Sequence, residues 1–205
     1  MTKYGMVINL NRCIGCKTCV VACKMQNNVP MDMLWNRVIN AGAESYDDAV
    51  GTYPNLIKQY TPVACQHCEN PPCQAVCPVG ATHTDEYGRV LIDYDLCIGC
   101  RICMAACPYN ARVFNWSEPV RVPDFNYGQK EVSVRPVGVV EKCTLCAERT
   151  SEGKDPACVS ACPSRARTFG DLDDPESAIS LLIRDAKPEQ LLPEKGTSPK
   201  IFYIT

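Results

Sequence analysis

Sixteen cysteines fall into four quartets, and nothing else in this 205-residue chain restricts its fold so tightly. The first quartet is Cys13, Cys16, Cys19 and Cys23, spaced C-x2-C-x2-C-x3-C. The second is Cys65, Cys68, Cys73 and Cys77, spaced C-x2-C-x4-C-x3-C. The third, Cys97, Cys100, Cys103 and Cys107, repeats the first spacing. The fourth is Cys143, Cys146, Cys158 and Cys162, spaced C-x2-C-x11-C-x3-C. Each quartet closes with C-x3-C, and three run directly into proline, at Pro78, Pro108 and Pro163. A motif repeated four times implies four equivalent local units.

The content of 16 cysteines approaches the level of a disulfide scaffold. Clustering opposes that reading, as does a chain long enough to build a core without staples. The start, "MTKYGMVINLNRC", also lacks the charged and then apolar order of a secretion signal. A zinc ribbon needs two separated cysteine pairs rather than tight triplets. A redox dithiol needs a lone pair, and no pair stands alone. The run C-x2-C-x2-C-x3-C-P is that of bacterial ferredoxins. A [4Fe–4S] cube presents four iron corners, each taking one thiolate. A tight loop wraps three corners, and in two-cluster ferredoxins the fourth cysteine serves the neighbouring cube. Gly15 and Gly99 let backbone N–H groups approach the cluster. Sixteen ligands make four [4Fe–4S] clusters with none left over.

Spacing indicates which quartets pair. The 19 residues between Cys77 and Cys97 read as a hairpin, with strands at Thr82–Asp85 and Val90–Ile92 around a turn at Glu86-Tyr87-Gly88. Two-cluster ferredoxins join their motifs by a similar short link, so quartets two and three form an inner lobe. Quartets one and four pair by elimination, which nests one lobe inside the other. Crossing the fourth ligand in each pair gives four expected sets. They are Cys13, Cys16, Cys19 with Cys162; Cys23 with Cys143, Cys146, Cys158; Cys65, Cys68, Cys73 with Cys107; and Cys77 with Cys97, Cys100, Cys103. The expected fold class is α+β: two nested ferredoxin-like lobes with added strands and loops. Residues 1–30 with 140–175 form the outer lobe and 60–116 the inner one. Residues 31–59 and 117–139 are insertions, and 176–205 a C-terminal helix and tail.

Within the insertions, "LWNRVINAG" and "NLIKQYTPVA" alternate as strands do, and 117–139 reads as a loop with an extended stretch. Pro175 to Ala186 has helical spacing with Asp173 or Asp174 as cap, and "IFYIT" adds a strand. His67, between two cysteines, is expected at the surface or just behind the ligands, and His83 in the hairpin. Lys17, Arg101 and Lys142 adjoin cysteines and can raise cluster potentials. Trp35 and Trp116 are expected in the core or an interface, and Tyr109 packed beside a cluster.

Charge is nearly balanced, with 21 basic and 23 acidic residues, which excludes a broad basic face for nucleic acid. No run of about 18 apolar residues could span a membrane. No phosphate-binding or dinucleotide-binding loop occurs, and two histidines leave little acid–base machinery. A non-catalytic electron carrier is the expected class.

The segments "YGMVINLNRCIGCKTCVVACK", "CQHCENPPCQAVCP", "CIGCRICMAACPYNAR" and "RPVGVVEKCTLCAERTSEGKDPACVSACPSRARTFGDLDDP" resemble one family over nearly the whole chain. It is that of the electron-transfer subunits of molybdopterin oxidoreductases, which include dimethyl sulfoxide, polysulfide, tetrathionate and arsenate reductases. "GVVEKC" and the "FGDL" tail lean toward the polysulfide, arsenate and tetrathionate members. The resemblance implies the same crossed sets. It also implies a molybdopterin-containing catalytic partner beside quartets one and four, and a quinol-linked membrane anchor beside two and three. The complex is then membrane-associated, on the cytoplasmic face or exported with a signal-bearing partner. Similar subunits serve hydrogenase and carbon monoxide dehydrogenase systems, and a free polyferredoxin is the remaining alternative.

Overall fold

The computed structural model describes residues 2–118, 128–130, 132 and 135–205, so most of the loop expected at 117–139 lies outside the described residues. Strand β1 (Tyr4–Asn9) is buried from Gly5 to Ile8, on both faces. Such a strand needs neighbours on both edges and cover above and below. Helix α1 (Thr18–Gln26) follows the first two cysteines and carries the next two. Strands β2 (Arg37–Asn40), β3 (Val50–Thr52), β4 (Asn55–Ile57) and β5 (Tyr60–Val63) fill the first insertion. The segment "NLIKQYTPVA", expected to be extended, divides into two strands. β4 pairs with β3 in an exposed hairpin, whereas β5 pairs with β2.

Next come helix α2 (Pro72–Ala75), the hairpin β6 (Thr82–Thr84) and β7 (Val90–Ile92), and helix α3 (Ile102–Ala105). Strand β8 (Val113–Phe114) pairs with β9 (Val140–Glu141) across the second insertion. Helices α4 (Ala147–Ser151) and α5 (Ala157–Ser160) precede strand β10 (Arg167–Asp171). Helix α6 (Ala178–Ala186), β11 (Glu189–Gln190) and β12 (Ile201–Ile204) complete the order.

One sheet, in order β10-β1-β12-β11, ties together the two ends of the described chain. β10 runs antiparallel to β1, with Met6 opposite Phe169, and β12 runs parallel to it, with Ile8 opposite Tyr203. Below the sheet Met6, Ile8, Leu10, Val20, Leu145, Ile201 and Tyr203 form the largest buried cluster. The strand expected at "IFYIT" is β12, and it builds the C-terminal segment into this sheet.

α6 is amphipathic and turns Ile179, fully buried, onto Gly170 of β10. Its cap differs from expectation. Asp174 accepts the Glu176 N–H in the preceding turn at 2.9 Å, and Ser177 Oγ accepts the Ser180 N–H at 3.2 Å. Ser177 has the extended backbone of an N-cap, so the helix starts three residues later than the hydrophobic pattern indicates. Ile179→Ala is expected to cost about 2–5 kcal/mol in denaturant unfolding of the loaded protein. An unchanged midpoint would show that α6 is not anchored there.

Candidate metal centres

The four quartets share one backbone device. In each C-x-x-C the residue before the second cysteine has a positive φ: Gly15 at 68°, His67 at 43°, Gly99 at 67° and Leu145 at 55°. The left-handed turn folds the loop back so that successive sulfurs face the same side. His67 and Leu145 do without glycine. Histidine is among the side chains that enter this region more readily. Leu145 is held there by burial in the main core. Lys17 and Arg101 are also left-handed, at 58° and 62°, one position after the second cysteine of their quartets. They start α1 and α3.

The third cysteine of each quartet, Cys19, Cys73, Cys103 or Cys158, lies in a helix and is buried. The fourth follows the helix end at Cys77, Cys107 and Cys162, while α1 is long enough to include Cys23. One short helix therefore turns two sulfurs toward different spaces.

Four cavities between these sulfurs result. Cavity one is lined by Cys13, Cys16, Cys19 and Cys162. Cavity two has Cys23, Cys143, Cys146 and Cys158, with Cys65 reaching its edge. Cavity three has Cys65, Cys68, Cys73 and Cys107. Cavity four has Cys77, Cys97, Cys100 and Cys103. Shared wall residues order them in a row. Arg167 joins one to two, Cys65 joins two to three, and Arg112 joins three to four. Among the described residues no three His, Cys, Asp or Glu side chains converge on a single metal ion. Four thiols spread around a gap instead fit a cube with iron at each corner.

Burial raises thiols along the whole row, Cys13 and Cys103 of the end cavities included. Cys146 is pushed up to about 12 and Cys68 to about 11, and Cys143 and Cys23 also rise, in each case chiefly through desolvation. At Cys77 and Cys162 the burial effect is overcome. Backbone N–H groups around Thr82 hold the Cys77 thiol below its usual range, and Ser164 with the Ala166 N–H does so for Cys162. Iron binds thiolate, so loading cavities lined by raised thiols must release protons.

His67 is fully buried, which excludes the surface and agrees with the other expected place, just behind the cysteines. Its Nδ1 accepts the Val90 N–H at 3.1 Å, which leaves the ring proton to Nε2. Burial, then Lys142, Lys200 and Arg89, hold it well below the usual histidine range, so it is neutral. His83 lies in β6 of the hairpin. Lys17 stands over the Tyr46 ring at 3.5 Å, and Arg101 over Trp116 at 4.5 Å. Trp35 is core, its Nε1 donating to Glu141 at 3.2 Å. Trp116 is 70% exposed. Tyr109 lines cavity three and bonds Thr197 and the Leu191 carbonyl.

Sequence reasoning missed the C-terminal segment as part of the site. The carbonyls of Ser198 and Thr197 accept the Glu69 and Asn70 N–H groups, and Lys200 bonds the Gln66 carbonyl through its backbone and Cys68 and Glu69 through Nζ. No local motif announces this. Arg112 and Arg167 were also missed, although a signal existed. Each lies five residues after a fourth cysteine, in "CPYNAR" and "CPSRAR".

Similarity to known proteins identifies the family. Two profiles, each described as a 4Fe-4S dicluster domain, match the chain, one over residues 56–137 and 128–172 and the other over 12–81. A protein of Halobacterium salinarum, named as a candidate iron–sulfur subunit of dimethyl sulfoxide reductase, is 55% identical across all of this chain and 79% of its own length. The arsenate respiratory reductase iron–sulfur subunit of Shewanella sp. strain ANA-3 is 42% identical, over 98% of this chain and 96% of its own. A selenate reductase subunit of Mesobacillus selenatarsenatis is 41% identical, over 99% and 72%. The cofactors of this chain are four [4Fe–4S] clusters.

A side chain at Gly99 would place Cβ 2.2 Å from the Gly138 carbonyl oxygen. At Gly153, φ 73°, it would meet nothing within 4 Å. Gly99→Ala is expected to lose the iron of one cluster, whereas Gly153→Ala keeps all four and costs only about 1–2 kcal/mol for the left-handed backbone. Iron analysis of both variants checks this, and equal retention would contradict it.

Proposed function

We infer the function from one premise: this chain belongs to the 4Fe-4S dicluster family, among the iron–sulfur subunits of reductases. We propose that it is a non-catalytic electron-transfer subunit. It links a molybdenum or tungsten pyranopterin catalytic subunit to a quinone-linked membrane subunit or other redox partner. The bound [4Fe–4S] clusters supply one-electron oxidation and reduction. The cysteine set lining each cavity holds one cluster, which gives the crossed arrangement of two nested pairs. The pairing of β1 with β10 supports the outer pair, and the β6–β7 hairpin between Cys77 and Cys97 supports the inner pair.

The ends of the row carry the reading. Cys16 in cavity one and Cys100 in cavity four are exposed, whereas cavities two and three expose no cysteine. Beside them stand Ile14 and Ile98, 63% and 64% exposed. A buried row that opens at two apolar ends suits a relay between two docked proteins. No helix among the described residues is long and apolar enough to cross a membrane, so the anchor is assigned to a partner chain.

Anaerobic purification through a tag on this chain tests the proposal. About 16 iron atoms per chain, from four cubes of four, with molybdenum or tungsten in a larger partner, is the expected result. Nickel in the partner would move the chain to a hydrogenase or carbon monoxide dehydrogenase system. Iron without any partner would make it a free carrier, and zinc in place of iron would overturn the relay.

Cys100→Ser is expected to damage the cluster of cavity four alone and to slow electron transfer without preventing assembly. Loss of all four clusters in that variant would contradict the separate cavities.

A further inference from the structure

Three buried cations lie along the row, one between each neighbouring pair of cavities. Arg167 lines cavities one and two, and Arg112 lines cavities three and four. Lys142 Nζ donates to the Cys143 carbonyl at 2.9 Å and to the Val90 carbonyl. Cys143 is in the wall of cavity two and Val90 in that of cavity three. Relative exposures are 7%, 3% and 1% for Arg167, Arg112 and Lys142.

None of the three has a carboxylate partner among the described residues. Arg89, also buried, has Asp85 at 2.6 Å, so the chain does pair buried arginine with carboxylate elsewhere. Arg167 instead turns Nη1 toward Cys158 Sγ at 3.6 Å and Nη2 toward Asn36 at 3.3 Å. Arg112 gives Nη1 to Thr82 Oγ1 at 3.2 Å, and its buried Nη2 has no hydrogen-bond partner. A buried cation without a counter-charge is strongly disfavoured. The missing negative charge is what thiolate-held cubes on either side would provide.

The motif places the two arginines alike, five residues after Cys107 and Cys162. Cys23 and Cys77 are followed at that distance by the neutral Asn28 and Thr82. Each pair therefore receives one arginine between its cavities rather than two. Adding an electron makes a cluster more negative, and a fixed cation in a low-dielectric wall favours that state.

We propose that Arg167, Lys142 and Arg112 are interleaved counter-cations, each raising the reduction potentials of the two clusters it lies between. The proposal rests on the ligand sets given above. They are positioning residues for electron residence, acting through charge and not as ligands.

Redox titration of the purified complex, followed by electron paramagnetic resonance, tests it, with signals assigned through Cys16→Ser and Cys100→Ser. Arg112→Gln is expected to lower the midpoints of clusters three and four and leave one and two unmoved. Arg167→Gln should lower one and two, and Lys142→Met two and three. Arg112→Lys and Arg167→Lys, which keep the charge, should restore the midpoints. Unmoved midpoints in fully iron-loaded neutral variants, or one equal shift in all four clusters, would overturn the proposal. If a neutral variant fails to load iron, loading by its lysine counterpart supports the counter-charge, and failure of both overturns it in favour of shape. Should Cys100→Ser disturb a cluster other than the fourth, the ligand sets fail whatever the midpoints do.

Discussion

The left-handed residue in each C-x-x-C is the constraint on which the structure depends. Without it, sulfurs three residues apart diverge and no common gap forms. Glycine meets the requirement at no steric cost at two positions. At the other two, His67 and Leu145 are compelled by their surroundings, one through the Val90 N–H and one through the main core. The conformational cost is thus borne by packing, and the two glycine-free loops are those deepest in the row. The loops with glycine are the ones whose second cysteine reaches the surface. Deep loops can be held by neighbours on all sides, whereas a surface loop must hold itself.

Much of the cavity lining was legible in the sequence, because it is largely local. Three thiols of a set come from a short span in most of the quartets, so spacing alone defines them. The hairpin between Cys77 and Cys97 was legible for the same reason. What escaped was set by long-range contacts. "NLIKQYTPVA" alternates throughout, yet Gln59 bonds Ala41 and the segment divides between two hairpins. Asp173 and Asp174 are good caps by type, but a turn uses Asp174 and leaves Ser177 to begin the helix. His67 carries no mark of burial, since the Val90 amide that fixes it lies 23 residues away.

Buried charge shows the same division. Asp85 and Arg89 sit four residues apart and neutralise each other locally. Lys142, Arg112 and Arg167 do not. Their surroundings are carbonyls, hydroxyls and sulfur, so no ion-pair spacing marks them, and only Lys142, next to Cys143, stood out in the sequence. The repeat had already placed both arginines at one offset from a cysteine. Periodicity in ligands therefore extends to the residues behind the ligands.

The pairing of Ile8 with Tyr203 spans 195 positions of sequence. β1 is made early, but one of its edges stays bare until β12 exists. Contacts of such separation form late, whereas the stretch from β6 to α3 closes on itself over a few tens of residues. The sheet is therefore a long-range structure, closed by residues from both ends of the described chain, whereas the β6–β7 hairpin is local. Until β12 pairs with β1, an unpaired, apolar strand edge is open to the wrong neighbour.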